Sequence, residues 1–521
     1  MIVSMRVAAL LVVLAVLVSG CVSTKAPAEV QLSNEVYTIR LFGDYTMYLS
    51  YDFTAKNYGG SDTQLEFSIN PGFQHPTCWE LAGEKRQEVN CSTEISEEGS
   101  LQRKLRIGRP IKPGDNVSFS LDLYGCPIML SYEPFLKGYI YEISSYWLVN
   151  HRYETERDKM ILLSIPDPAY PVVVGEGVEP FGKHSDSAPD GSLKRYTMYS
   201  YTAESFFRAC VSDFAHLEEE RDGVRYRIYL APSDRDLLPW VLSATSGAVE
   251  RYSELFHPYP FKEYTVLAKD KNRLSGGGDG GANYTIYNTI SSYYLLVHEV
   301  GHAWFGSMIE PAGERDRWLS EGAATYCELV MGEGRDDFRE HLREMQIDAL
   351  RDDGPVVRED PSMWGMYKKG AMMFRMLQYV MGDAFPDLMH TLFQRYNGKQ
   401  ITTEDFVALA NKYGDYQWFF DQWLYRGGAP DYSIKDIEYG NGTLTFRVVQ
   451  EGETYRMPLD IAFIMDDGEE VRERVLVYER EELFSFVTDR PAKIVLDPDM
   501  WVLKRFDKSE DPDSTWTYIL P

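Results

Sequence analysis

The chain is expected to be a multidomain α+β protein, on three features of its 521 residues. Apolar and polar residues alternate with a period of two over 35–234. Apolar residues recur at helical spacing over 235–430. Alternation then returns over 431–506. A period of two marks half-buried strands, and a period near 3.6 marks amphipathic helices. The expected order is a mostly antiparallel N-terminal β domain, a mainly helical block, a small β-sandwich and a tail over 507–521. This length accommodates roughly two to four domains.

In the first domain the alternating runs include Glu35–Leu41, Asn116–Leu121 and Arg225–Leu230. Asn70-Pro71-Gly72 and Lys112-Pro113-Gly114-Asp115 separate strands, as Gly and Pro in turns do. The helical block begins where Leu238, Val241, Leu242, Val249, Tyr252 and Leu255 fall on one face, with Pro239 in the first turn. A glycine-rich stretch at Gly276–Gly281 interrupts it and is expected to be a loop. Gly427-Gly428-Ala429-Pro430 ends it. The sandwich carries Thr443–Val448 and Leu459–Ile464, flanked by the turn signals Asn441-Gly442 and Asp466-Asp467-Gly468.

Residues 1–20 hold Arg6 and the apolar run Val7–Val18, too short to span a bilayer and laid out as a secretory signal. Small residues lead directly into Cys21, the pattern of a lipidation site, and 21–34 is expected to be a tether. The expectation is export, with lipid on Cys21 holding the protein to the outer face of a cell membrane. A mean hydropathy of −0.34 excludes a polytopic membrane protein. The net charge of −27 repels phosphate backbones, so nucleic acid is not expected as a partner. Of the remaining cysteines, Cys78 and Cys91 are near enough in sequence to staple a loop. Spacing alone cannot pair Cys78, Cys91, Cys126 and Cys210. Cys327 lies in a helical pattern and reads as a small buried apolar residue.

The chemistry is carried by His298-Glu299-Val300-Gly301-His302. Residues four apart on a helix share a face, so His298 and His302 can reach one ion. Glu299 lies beside them and is expected to act as general base on the attacking water. Zinc in a catalytic site needs a third protein ligand and an open position. Glu321, separated from His302 by eighteen intervening residues and lying in Trp318-Leu319-Ser320-Glu321-Gly322, supplies that ligand. One zinc ion per chain follows. Glu328 is seven residues on and shares a helical face with Glu321. It is expected to hold the second nitrogen of a zinc-bound histidine.

His298–Gly306 and the segment Trp318–Tyr326 together resemble the gluzincin metallopeptidases, the family of aminopeptidase N and leukotriene hydrolase. The resemblance is specific over about 250–430. It implies a thermolysin-like catalytic domain over 235–430, a saddle-like β domain before it and a sandwich after it. Met366-Tyr367-Lys368-Lys369-Gly370 resembles the family's tyrosine element, which makes Tyr367 the expected oxyanion donor. The chain ends soon after the sandwich, so the family's helical lid is not expected. One departure stands out. The family has a glutamate before the zinc helix that holds the substrate's amino terminus, and this chain has Gly280-Gly281-Ala282-Asn283. Gly280 and Gly281 are expected to let a peptide backbone approach.

The expected activity is hydrolysis of peptide substrates by an aminopeptidase with relaxed terminus selection. The alternatives are an endo- or oligopeptidase on the same site, a non-catalytic surface binding protein, or hydrolysis of a non-peptide electrophile. An intact Glu299 argues against pure binding, which requires no general base. Side-chain preference, natural substrate and oligomeric state are not legible.

Overall fold

A computed structural model describes residues 30–41, 47–95, 103–125, 214–268, 277–287, 292–505 and 517–520, and strands alone between 141 and 212. The signal and lipidation segment, with Cys21, and Cys126 lie outside these residues. The chain divides into two compact units, Met1–Ala215 and His216–Pro521. The multidomain α+β class predicted from the sequence is observed.

Among the described residues the first unit is built of β-sheets. Its largest sheet has nine strands and includes Val30–Leu41, Met47–Asn57, Asn116–Gly125 and Phe73–Ala82 as neighbours. The core is formed by their inward residues, among them Ile39, Leu49, Tyr51, Phe53, Phe119 and Leu121. The expected antiparallel pairing holds for most pairs. Val30–Leu41, however, pairs in parallel with Lys159–Pro166. A bulge between Ser33 and Val36 turns Glu35 inward. There Glu35 accepts from Tyr51 Oη at 2.5 Å and faces Lys159 at 3.5 Å. Alternation alone does not foresee a buried charge on that face, because a bulge shifts the period. The thiols of Cys78 and Cys91 lie within hydrogen-bonding reach of each other. Cys78, Cys91 and Cys327 form no disulfide among the described residues.

The second unit opens with a five-stranded sheet. Its strand order is Ala215–Arg221, Val224–Leu230, Glu263–Ala268, Tyr284–Tyr287 and Gly278–Gly280. The sequence expectation carried the first domain to 234. The strands of 215–230 instead belong here, because Val224–Leu230 pairs in parallel with Glu263–Ala268. A parallel partner arrives only after a long crossover, so local alternation cannot show which sheet a strand joins.

Eight α-helices follow among the described residues: α1 Leu238–Leu255, α2 Tyr293–Gly301, α3 Trp318–Gly332, α4 Phe338–Ala349, α5 Gly370–Met381, α6 Ala384–Tyr396, α7 Thr403–Ala410 and α8 Gln417–Trp423. The apolar face read from the sequence of α1 is the face that packs inward: Leu238, Val241, Leu242, Val249 and Tyr252 are buried. Tyr252 donates from its hydroxyl to the Val297 carbonyl of α2 at 3.0 Å, which ties α1 to α2.

The unit closes with two small sheets. Asp431–Gly440, Thr443–Glu451 and Glu481–Val487 form one. Glu470–Val477, Met457–Ile464, Lys493–Leu496 and Thr517–Ile519 form the other. Asn441 and Gly442 both adopt positive φ and close the first hairpin, as their sequence signal predicts. The segment beyond 506 is not wholly a tail, since Thr517–Ile519 adds an antiparallel strand to Lys493–Leu496. Three residues are too few for periodicity to register.

Candidate metal centre

Helix α2 starts at Ser292, whose side chain accepts from the Leu295 amide at 3.1 Å. This N-cap satisfies one of the helix's free amides and sets where it begins. The next two turns carry His298 and, at the C-terminal cap, His302 on one face, with ring centroids 5.0 Å apart. Helix α3 brings Glu321 against them. Its Oε2 lies 3.4 Å from His302 Nε2 and 3.8 Å from His298 Nε2.

Gly301 makes this approach close. A Cβ there would lie 3.1 Å from the sulfur of buried Cys327 in α3. Cys327 is thus the buried apolar residue that its helical position predicts.

The donor set fits zinc. Four ligands at ~2.0–2.2 Å in a tetrahedron place neighbouring donor atoms roughly 3.3–3.6 Å apart. Of the observed separations, 3.4 Å lies within that range and 3.8 Å slightly above it, and the three donors form a group able to hold a metal ion among the described residues.

The other ring nitrogens are already engaged. His302 Nδ1 lies 2.9 Å from the Phe305 carbonyl, to which it donates. His298 Nδ1 lies 3.1 Å from Glu328 Oε1. Both histidines therefore present a bare Nε2 to the ion. Glu328 takes the place expected from its helical spacing.

The charges agree with a cation site. Burial would by itself depress His302, but the carboxylates of Glu321 and Glu299 outweigh it and push the imidazole up to about 9. Burial would raise Glu321, but His302, His298 and Arg317 hold it at about 2. The cluster is thus rich enough in negative charge to retain a proton that a divalent cation replaces. Glu299 is buried, which raises its carboxyl. The two histidines counter that, and Glu321 and Asp279 add to it.

Tyr367 lies on a π-helical segment, Trp364–Lys369, immediately before α5. Its ring is nearly parallel to that of His298, with 6.0 Å between centroids. Two glycines bring it there. A Cβ on Gly322, next to Glu321, would lie 2.9 Å from the Cα of Gly370, so α3 and α5 touch backbone to backbone. Buried Lys369 anchors the π segment by donating to the Gly354 carbonyl at 2.8 Å. Burial and then Glu321 push the Tyr367 phenol far up, so it stays a donor at neutral pH. Tyr367→Phe is expected to lower kcat ~100–1000-fold with KM little changed, as loss of one oxyanion donor does. Steady-state kinetics on a peptide substrate measures this, and unchanged kcat removes Tyr367 from the chemistry.

Gly278–Gly280 is a short edge strand rather than a loop, antiparallel to Tyr284–Tyr287. It lies directly on α2. A Cβ on Gly280 would fall 2.3 Å from the Glu299 carbonyl oxygen and 2.8 Å from His302 Cβ, while one on Gly278 would meet the Glu299 carboxyl at 2.5 Å. Neither position has room for a side chain. The Gly281 amide donates to the Tyr284 carbonyl at 2.8 Å, so Gly281 closes the turn between the two strands. Asp279 is exposed between the glycines.

Sequence reasoning did not single out His341, Lys368, Ser320 or Arg317. Arg317 donates to Glu321 Oε1 at 3.3 Å, and Ser320 donates to the Phe305 carbonyl that also takes His302. Arg317 and Ser320 flank the zinc glutamate in sequence, and that adjacency was the available signal. His341 carries no such signal.

Two histidines and a glutamate whose donor atoms converge, a second glutamate beside them and a tyrosine nearby make up the set of groups that a zinc metallopeptidase site requires. Residues 280–423 match the family described as Peptidase family M1 domain, in agreement with the gluzincin resemblance of the sequence. It is 28% identical over 278 residues to the human (Homo sapiens) thyrotropin-releasing hormone-degrading ectoenzyme, covering 44% of this chain and 25% of that protein. It is 25% identical over 229 residues to mouse (Mus musculus) endoplasmic reticulum aminopeptidase 1, covering 37% of this chain and 24% of that protein. Among solved structures it resembles Legionella pneumophila aminopeptidase A in complex with aspartic acid, with a TM-score of 0.61 and 14% identity over 94% of this chain and 61% of that one. That last likeness is one of fold. The matched stretch spans about a quarter of the length of the two curated relatives.

Proposed function

We propose that the chain is a zinc aminopeptidase with relaxed terminus selection, its chemistry lying in the thermolysin-like domain of 235–430. The observation that carries the hydrolytic part is buried Glu299 beside three convergent metal donors. Bound zinc supplies Lewis acidity at the open side of His298, His302 and Glu321. Glu299 takes a proton from the attacking water and delivers it to the leaving amine. The Tyr367 hydroxyl donates to the oxygen on which charge develops. The free edge of Gly278–Gly280 offers backbone groups to an extended peptide beside Glu299.

Relatives named as aminopeptidases support the exopeptidase reading. Relaxed selection is supported by the glycine strand. Its packing on α2, against the Glu299 carbonyl and His302 Cβ, leaves Gly280 no room for a carboxylate side chain. The test compares kcat/KM for one peptide with a free and with an acetylated amino terminus. The expected loss on acetylation is below ~1000-fold, about 4 kcal/mol. A greater loss shows a charged anchor and overturns relaxed selection.

Attachment to the outer face of a membrane through Cys21 belongs to the same proposal and rests on the N-terminal residue pattern. Intact-mass analysis of the mature protein is expected to find lipid on Cys21, and Cys21→Ser is expected to release the protein or leave it unprocessed. An unmodified mature terminus overturns this part.

A further inference from the structure

His298 is held through a chain of contacts that runs beyond Glu328. Glu328 is buried, and its two oxygens face different helices. Oε1 meets His298 Nδ1 of α2, while Oε2 lies 2.9 Å from Nε2 of His341 in α4 and 3.6 Å from the Lys368 ammonium. The imidazole of His341 is itself fixed. It stacks on the ring of Tyr294, with centroids 3.5 Å apart and planes 1° from parallel. Tyr294 lies one turn before His298 on α2. Its hydroxyl donates at 2.9 Å to Asp337, the residue at the start of α4. Tyr294, His341, Glu328 and His298 thus close a ring that leaves α2, crosses α4 and α3 and returns to α2.

The geometry points to His341 as a positioning residue for the metal ligand His298, acting through Glu328. A carboxylate held at one oxygen only can rotate about its last bond. Here that rotation would swing Oε1 away from the His298 N–H, freeing the imidazole to turn or to change tautomer. Oε2 is in close contact with His341 Nε2, although the ring N–H is not aligned on it as a hydrogen bond. This contact, together with the Lys368 ammonium, sets the plane of Glu328 and keeps the His298 Nε2 lone pair aimed at the metal position. Partners of this kind commonly tune metal affinity by ~10–100-fold. The stack on Tyr294 gives His341 its own fixed orientation without involving a residue that touches substrate. The inference rests on the zinc reading above, and its test separates the two.

Two substitutions divide the roles of His341. His341→Phe keeps a flat ring against Tyr294 and removes the polar nitrogen that faces Glu328 Oε2. His341→Gln gives up the stack and keeps a polar nitrogen. Zinc affinity is measured by chelator competition on the full chain, and kcat and KM at saturating zinc. His341→Phe is expected to bind zinc ~10–100-fold more weakly and to lose kcat with KM little changed, whereas His341→Gln stays within about 3-fold of wild type in affinity. Circular dichroism and a thermal melt confirm that each variant is folded. Wild-type zinc affinity in His341→Phe overturns the inference, and so does an equal loss in both variants, which would mark a packing role. A wild-type chain that binds no zinc overturns the proposed function and this inference with it.

Discussion

Glu299→Gln is expected to leave a folded, zinc-loaded protein whose peptide hydrolysis falls ~100–10,000-fold, the range spanned by a positioned general base. The amide has the size and shape of the carboxylate, so the packing of Gly278–Gly280 against this side chain survives the change. What is lost is an acceptor for the proton of water. Glu299 is buried beside His298, His302 and the glycine strand. Glu321 is committed to the metal side, with its oxygens facing His302, His298 and Arg317. Single-turnover and steady-state rates, together with zinc content, check the result. A variant with wild-type turnover removes Glu299 from the mechanism. A variant that has also lost zinc shows that Glu299 supports the metal rather than the proton.

The second large effect is expected at Glu321. Glu321→Ala removes one of three protein donors and the negative charge that the two histidines face. Zinc after dialysis against a mild chelator is expected to fall from near one per chain to a small fraction, and activity with it. The wild type is expected to melt higher with zinc than without, because an ion that binds only the folded state stabilises it by roughly 3–4 kcal/mol at 100–1,000 times its dissociation constant. Glu321→Ala is expected to show little of that shift. Elemental analysis and thermal melts with and without zinc measure both quantities. Full zinc retention in both Glu321→Ala and His302→Ala overturns the assignment of the site.

The zinc donors were legible in the sequence because their geometry is local. His298 and His302 share a face of one helix by spacing alone, and Glu321 heads the next helix. Glu328 followed by the same arithmetic, seven residues along α3. Tyr367 was legible only through family resemblance, since the contact that seats it joins Gly322 of α3 to Gly370 of α5, forty-eight residues apart. The glycine run read as a loop because nothing in its composition shows a strand. It pairs because Tyr284–Tyr287 lies beside it, and it must be glycine because α2 leaves no space.

The sequence by itself determined the α+β class, the face of α1 that packs inward, the hairpin at Asn441-Gly442 and the chemical type of the site. All of these depend on residues within a few turns or a single hairpin of one another, where backbone geometry fixes the spacing. Only the tertiary structure decided that 215–230 joins the sheet of the second unit, that Thr517–Ile519 completes the last sheet, and that His341 reaches Glu328. These are pairings between segments distant in sequence. Periodicity reports which face of an element is buried; which element covers that face is chosen by packing and hydrogen-bond satisfaction across the whole fold.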